Sequence, residues 1–412
     1  MKKALLICYY FPPLGLAGVG RPLNLFKRLP EHGYDCEILT VKPVSYWEYE
    51  RQLLDDLDKS KIYRAGSRDP QRIMYLLGVR RIKFSAKGAT RRAADRFFPD
   101  SKIGWVKPAV RLGRTLMENH CYDIVISTSP PMSAHLVGKS LAAEFNVPWV
   151  ADMRDYWTIS KLEDTYADRN MINRGERLLN DIQKNASAIT AVNQSIAEYW
   201  GSDNVIPNGF DIDLAQAWMM PPDKTHFHIG VPGNLLATRI IDPLLRVLSK
   251  LREQDADLFS SIRLLQVGSV DREWLESRLD DYALKGICEI HGYVPRTDFV
   301  TLLSRCSLTF VALGETNGSE LVPSRVFELL ASGRPILVYG PAENAIRRLF
   351  DQTGNGFAFD DTRLQGAVDY LRELLRRFRK GDLEINPLPD YAKQYSSDSL
   401  AKRFAELMDR LS

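Results

Sequence analysis

Short apolar, β-branched runs alternate with segments of helical period along almost the whole chain, the pattern of parallel sheets joined by helical crossovers. In the first half, strands are expected at Lys3 to Tyr10, Asp35 to Val41, Lys61 to Tyr63, Asp123 to Thr128, Trp149 to Asp152, Ala188 to Val192 and Asn204 to Ile206. Helices fill the gaps: residues 20–32 carry Leu23, Phe26 and Leu29 on one face, and 133–145 and 170–185 are two more. The second half repeats the scheme with strands at Phe227 to Val231, Arg263 to Val267, Cys288 to His291, Leu308 to Val311, Pro335 to Val338 and Gly356 to Phe359. The expected class is α/β, with two doubly wound Rossmann-like domains whose strand carboxyl ends face a central cleft, where such sheets bind ligands. The expected boundaries are 1–207 for an N-terminal domain with a basic helical insertion at 59–98, 208–225 for a turn-rich linker, and 226–390 for a C-terminal domain. A last helix, 391–412, follows the Pro387 to Pro389 break and is expected to cross the domain junction.

Composition narrows the picture. The chain has 412 residues, too many for one ordinary core, with 45% apolar and 26% charged residues, as in soluble globular proteins. No apolar stretch is long enough to cross a membrane, and the run Ala4 to Phe11 leads into Pro12 and Pro13 without a small-residue cleavage site, so it reads as a first buried strand. Five scattered cysteines without a Cys-x-x-Cys pair argue against a disulfide framework or a cysteine zinc site, and for the cytoplasm. Net charge is only +3, yet Lys59 to Arg96 holds twelve Lys or Arg against two Asp, interleaved with apolar residues such as Ile73, Leu76, Leu77 and Phe84. That mixture suits peripheral contact with an anionic membrane surface or, equally, a solvated basic pair of helices; no nucleic-acid motif accompanies it.

The candidate chemistry concentrates in GSELVPSRVFELLASGRP, Gly318 to Pro335. A helix opening at Ser324, capped by its hydroxyl, presents free N–H groups to an anion, with Arg325 beside it and Glu328 one turn on. A nucleotide-diphosphate sugar fits: diphosphate at the helix end, ribose on Glu328, sugar hydroxyls on Glu320. The same spacing also describes an amphipathic helix with both Glu residues solvated. Upstream, Gly15 and Gly18 lie in the loop after the first strand, but the second strand ends in Thr40, Val41 and Lys42 without the acidic residue of a nicotinamide-dinucleotide site. On the acceptor side, Ser129 and His135 follow the fourth strand, and Asp152, Arg154 and Asp155 crowd the end of the next. Arg154 can fork onto a carboxylate or phosphate, or pair with Asp152 or Asp155; His135 can donate a proton or pack on a helix face. In the second half Gly233 permits close backbone approach, Arg239 can turn back onto a diphosphate, and the backbone of Tyr293 and Val294 can meet a base edge. The Asp-x-Asp pairs at Asp56, Asp211 and Asp255 do not follow buried strands as a divalent-cation site requires, so no obligatory metal is expected.

YYFPPLGLAGVGRP, FPDSKIGW, TSPPMSAH, VADMRDYW, VIPNGFD and SELVPSRVFELLASGRP, in this order, resemble the recurring blocks of the GT-B glycosyltransferases of family four, retaining enzymes of bacterial capsule, exopolysaccharide and O-antigen assembly. The resemblance implies that Glu328 holds the donor ribose, Glu320 contacts the transferred sugar and Gly15 lies against the diphosphate of a UDP- or GDP-sugar. It implies transfer to a lipid-linked or glycan acceptor at the inner face of the cell membrane, with Arg239, Arg325 and the helix end stabilising the leaving group. Two departures stand out: Asn234 and Arg239 occupy places where the family commonly has Arg and Lys, and Pro323 replaces a glycine, leaving Leu321, Val322, Ser324 and Arg325 as backbone donors. A nucleotide-sugar epimerase of the same architecture, or a catalytically silent binding module, are the alternatives.

Overall fold

The computed structural model describes residues 1–15, 18–82, 97–157, 168–233, 235, 241–313, 322–341 and 345–411. It divides into two units, Met1–Asn208 with Ser397–Ser412, and Gly209–Ser396. In the first, β1 (Lys2–Ile7), β2 (Tyr34–Val41), β3 (Ile62–Ala65), β4 (Ile124–Thr128), β5 (Trp149–Met153), β6 (Ala188–Ala191) and β7 (Asn204–Val205) form a seven-stranded sheet in the order β3-β2-β1-β4-β5-β6-β7. The pairings are parallel throughout. Helices α1 (Gly20–Arg28), α2 (Pro70–Leu76), α3 (Ile103–Asn119), α4 (Ser133–Phe145), α5 (Arg169–Asn185) and α6 (Gln194–Tyr199) belong to this unit. Strand β1 is nearly continuous in apolar residues because it is buried on both faces, as parallel strands are.

Local chemistry sets several boundaries. The expected helix 20–32 is α-helical only to Arg28: Pro30 lacks an amide hydrogen, the chain tightens to a 3₁₀ turn over Leu29–His32, and Gly33 ends it at φ +91°. Asp168 and Asn193 cap α5 and α6 through side-chain oxygens.

The second unit carries β8 (Phe227–Pro232), β9 (Ile262–Val267), β10 (Cys288–Ile290), β11 (Leu308–Ala312), β12 (Ile336–Tyr339) and β13 (Gly356–Phe359), ordered β10-β9-β8-β11-β12-β13 and also parallel. Its helices are α7 (Asp242–Gln254), α8 (Ala256–Phe259), α9 (Arg272–Asp281), α10 (Arg296–Ser304), α11 (Ser324–Ala331), α12 (Ala345–Thr353), α13 (Leu364–Lys380) and α14 (Asp390–Lys393). One sheet face packs Ile229 and Phe310 against Leu244, Leu248 and Leu371; the other packs Leu265 and Val311 against Leu303, Val326 and Leu330. The stretch expected as a linker, 208–225, is folded into this unit: Ile212–Met219 forms a 3₁₀ helix whose Trp218 is buried in the second cluster. The expected terminal helix is two, α14 in this unit and α15 (Ser397–Asp409) in the first, where Leu400, Phe404 and Met408 join the core of β1, β2 and α1.

Both strand orders reverse once, at β1/β4 and at β8/β11, so each unit has one topological switch point at its carboxyl edge. Among the described residues no helix is long and apolar enough to cross a membrane.

One cation ties the second unit together. Arg334, 0% exposed, donates from Nε to Cys306 O (2.9 Å), from Nη1 to Trp218 O (3.3 Å) and Ser332 O (3.1 Å), and from Nη2 to Met220 O (2.8 Å) and Ser304 O. Five guanidinium N–H groups meet five carbonyls. These carbonyls cluster at the carboxyl ends of α10 and α11, where helix dipoles present negative charge, and on the segment leading to β8. Gly333 is obligatory beside it, since at φ +66° a Cβ would stand 1.9 Å from Asn386 O. Arg334→Met should destabilise this unit by about 3 kcal/mol or more, because the carbonyls lose their donors together. Arg334→Lys should recover only part of that; denaturant unfolding of the two variants against the parent checks the order.

Candidate functional site

The carboxyl edge of the second sheet is built from glycines in left-handed conformations. Gly233 (φ +99°), Gly268 (φ +140°) and Gly292 (φ +67°) follow β8, β9 and β10, three adjacent strands. The turns are laced by the backbone: Gly233 N donates to Val267 O and Gly268 N to Gly292 O, both at 2.7 Å. Gln266, fully buried, donates from Nε2 to Gly268 O at 2.8 Å. A side chain at Gly233 is excluded twice, by φ and by Arg325, whose Nη1 lies 2.0 Å from where a Cβ would stand.

Arg325 reaches this edge from the first turn of α11, the helix that follows β11 across the switch point, and Nη1 donates to Pro232 O at 2.8 Å. Its side chain remains exposed. The expected Ser324 cap is not formed: Pro323 is the N-cap, with no side-chain hydrogen bond, and Ser324 is the first helical residue. Proline has no hydroxyl, so the first-turn N–H groups at this end have no side-chain cap. Glu328, one turn along and half-buried, pairs with Arg296 Nη2. Arg296 opens α10 directly after Tyr293, Val294 and Pro295. The structure therefore gathers Gly233, Arg325, Glu328 and the Tyr293–Val294 segment on one edge, while Val322 packs into the core beneath. Asn234, Arg239, Glu320 and Leu321 lie outside the described residues.

Arg296 is the partner the sequence reading missed. An arginine at a helix start opposes the helix dipole, which is a signal that it has an acid elsewhere.

In the first unit the polar cluster at the strand ends is an internal fastening. Asp152, fully buried, takes Arg21 Nε at 2.9 Å and Nη2 at 2.7 Å, Thr128 Oγ1 at 2.7 Å and Thr190 Oγ1 at 2.8 Å. Arg21 also donates to Pro207 O at 2.7 Å and Ile206 O at 2.9 Å. Burial pushes the Asp152 carboxyl up, but the charge and hydrogen bonds of Arg21 and the bond from Thr128 hold it below its ordinary value, and it stays ionised. Of the alternatives for Arg154, a hydrogen-bonded pair with Asp152 does not form: Arg21 takes that place, and Arg154 donates to Ser129 O and, at 3.2 and 3.3 Å, to Gly18 O. Arg21, too, stands at a helix start, so its partner was signalled though not identified. Asp155 is half-buried at the same strand end. Ser129 is buried, with Oγ 3.4 Å from Asp152 O. Gly15 gives its N–H to Glu48 O at 3.0 Å, so what it offers a ligand is the absence of a side chain, not a donor.

His135 is no proton donor at neutral pH. It is fully buried, with Nδ1 2.8 Å from Ser127 Oγ, which also accepts Trp149 Nε1 at 2.8 Å. Gly138 makes room for this pair, since a Cβ there would lie 2.8 Å from Trp149 Nε1. Burial pushes the imidazole down to about 4, with Asp152 opposing the shift.

Comparison with known proteins bears on the second unit most directly. Residues 220–380 match the family model described as Glycosyl transferases group 1. That span holds Gly233, Arg296, Arg325 and Glu328. Among solved structures, sucrose-phosphate synthase from Thermosynechococcus elongatus is similar at 14% identity and TM-score 0.61, over 100% of this chain and 99% of that one. Anabaena HepE, solved in complex with UDP and glucose, is similar at 15% identity and TM-score 0.60 over 100% of both chains. WaaG, described as a glycosyltransferase involved in lipopolysaccharide biosynthesis, is similar at 14% identity and TM-score 0.58, over 98% of this chain and 99% of that one. No curated protein matches the sequence. These likenesses establish the fold, two Rossmann-like α/β units of the GT-B type.

The buried neutral His135 makes stability depend on acid. In the unfolded chain its imidazole takes a proton near pH 6.5, and in the folded one only near 4, so its contribution is whole above pH 6.5 and is lost as pH falls toward 4. At pH 5 the loss should be on the order of 2 kcal/mol. His135→Phe should flatten this part of the pH dependence, as read by denaturant unfolding at pH 7.5 and 5.

Proposed function

We propose that this protein is a glycosyltransferase that moves a sugar from a UDP- or GDP-sugar to an acceptor hydroxyl, with retention at the anomeric carbon. The observation that carries the reading is the constellation at the β8/β11 switch point: Arg325 laid against Gly233 at the uncapped start of α11, with Glu328 one turn along. It falls within the residues that match the glycosyl transferase family model. The diphosphate of the donor is assigned to the α11 end and Arg325, where the helix dipole, the first-turn N–H groups and a guanidinium all favour an anion. Glu328 accepts from the ribose hydroxyls, and Arg296 keeps its carboxylate aimed. Arg239 and Glu320 are assigned, from the sequence, to the second cation on the diphosphate and to the transferred sugar.

The reaction follows from what must be stabilised. Departure of the nucleoside diphosphate leaves an oxocarbenium-like sugar and puts negative charge on the phosphate oxygens. Donors already pointed there lower that barrier without reorganising. The acceptor oxygen then attacks from the face the diphosphate leaves, and the leaving phosphate takes its proton. That HepE was solved with UDP and glucose, and that WaaG is described as acting in lipopolysaccharide biosynthesis, supports a nucleotide-sugar donor and a surface-glycan acceptor, lipid-linked or free.

Glu328→Ala should raise donor KM at least about tenfold with a smaller change in kcat, and Arg296→Ala should shift KM in the same direction by less, since the carboxylate survives unaimed. Release of nucleotide that needs acceptor, with a product of the donor's anomeric configuration by NMR, is the expected outcome. Donor turnover without acceptor would favour an epimerase, and donor binding without turnover a silent module.

The membrane-facing part of the proposal rests on α2 and the turn after it. Leu76 is 67% and Leu77 79% exposed, with Ile73 and Val79 also exposed and Arg68, Arg80 and Arg81 around them. Exposed apolar side chains with exposed arginines close in sequence fit the headgroup layer of an anionic bilayer. The basic residues 83–96 lie outside the described residues. Sedimentation with phosphatidylglycerol vesicles should fall as salt rises and be lost in Leu76→Glu/Leu77→Glu. Binding that ignores both changes would overturn this part.

A further inference from the structure

At the opposite, amino-terminal edge of the second sheet, Asp223, His226 and His228 bring one carboxylate and two imidazoles together, with a ligand atom from each within 4.8 Å of the others. The spacing is Asp-x₂-His-x-His. His226 precedes β8 and His228 lies within it, two residues on, so both rings project to one side of the strand. Their ring centroids are 6.2 Å apart.

The carboxylate is held before any ligand arrives. Asp223 Oδ1 accepts Thr225 N at 2.7 Å, Thr225 Oγ1 at 2.6 Å and His226 N at 3.3 Å, which turns Oδ2 toward His228 Nε2 at 3.1 Å. Two ligand atoms of a tetrahedral zinc site stand about 3.3 Å apart, the consequence of metal bonds near 2.0 Å. The neighbouring positive charge, Arg305, is partly offset by Glu289, whose Oε2 lies 3.7 Å from its Nη1 and 3.5 Å from His291 Nε2.

Two buried polar atoms beside the ring are unpartnered. His228 Nδ1 and Ser307 Oγ are both buried without a hydrogen-bond partner. Ser307 N donates to His228 O at 2.9 Å, so the two residues are neighbours across the β8–β11 ladder. The two atoms do not bond to each other; with a metal on Nε2 the imidazole proton would sit on Nδ1, and a turn of the Ser307 side chain would be needed for its hydroxyl to accept it.

We propose that Asp223, His226 and His228 bind a divalent transition-metal ion at a site separate from the donor edge. Two imidazoles and one carboxylate match Zn²⁺, and disfavour Mg²⁺ and Ca²⁺, which take oxygen ligands. The ion joins the segment that enters β8 to the strand itself and leaves a fourth position to water.

The test uses the tag-free full chain, stripped with chelator and titrated with Zn²⁺ by calorimetry and with Co²⁺ by visible absorption. One equivalent should bind, raise the melting temperature and give cobalt bands of nitrogen–oxygen coordination. His226→Gln, at a partly exposed ring, should weaken binding at least about tenfold while the metal-free melting temperature holds, and Ser307→Ala should weaken it by about ten- to a hundredfold. If His226→Gln does not fold, Asp223→Asn takes its place. Absence of saturable binding up to about 1 mM, or binding that survives both His226→Gln and Asp223→Asn, overturns the site.

Discussion

The second unit depends on a single buried cation. Arg334 has no carboxylate among its hydrogen-bond acceptors, and charge buried without an anion is ordinarily expensive. Here the compensation comes from five carbonyl dipoles: Ser304, Cys306 and Ser332 at the carboxyl ends of α10 and α11, where helix dipoles present negative charge, and the folded entry segment at Trp218 and Met220. Burial pushes the guanidinium down to about 10, which still leaves it charged at neutral pH. Because α11 is gripped at its carboxyl end, its amino end is held at the switch point, where Arg325 meets Gly233. The rigidity of the candidate site is thus set at the far end of the helix that carries it.

The first unit solves a similar problem with a true ion pair. Asp152 and Arg21 are both buried, and the pair is tolerable because further bonds use up what remains: two threonine hydroxyls on the carboxylate, two carbonyls on the guanidinium. It joins β4, β5 and β6 to α1 and to the chain after β7. Arg154, freed from Asp152, instead holds the loops after β1 and β4 through Gly18 and Ser129, the two loops that flank that unit's own switch point.

Much of this was legible from the residues alone. The strand-helix alternation yields both sheets because parallel strands buried on two faces must be apolar throughout, and that is a local property. The cluster around Arg325 and Glu328 was legible because helix phase places residues three apart on one face. The Ser324 cap failed for a local reason: the helix begins one residue earlier than a cap there requires, directly after Pro323. The linker was misread because turn-forming residues also make 3₁₀ helices, and nothing within 208–225 announces that Trp218 will find a core.

Sequence by itself determined the class of fold, the two units, and the glycine turns and charged helix start that suit a diphosphate, since all of these follow from periodicity and from residues a few places apart. Only the tertiary structure decided which charges answer one another. Arg334, Arg296 and Arg21 were unremarked, and of the partners open to Arg154, Asp152 went to Arg21. An arginine's side chain reaches across several elements, and the partner it finds depends on strand order and helix position, which are set by the packing of the whole unit. Asp223, His226 and His228 stand within six residues of one another, yet what aims the carboxylate at the ring is the turn closed by the Thr225 and His226 amides, which residue spacing does not announce.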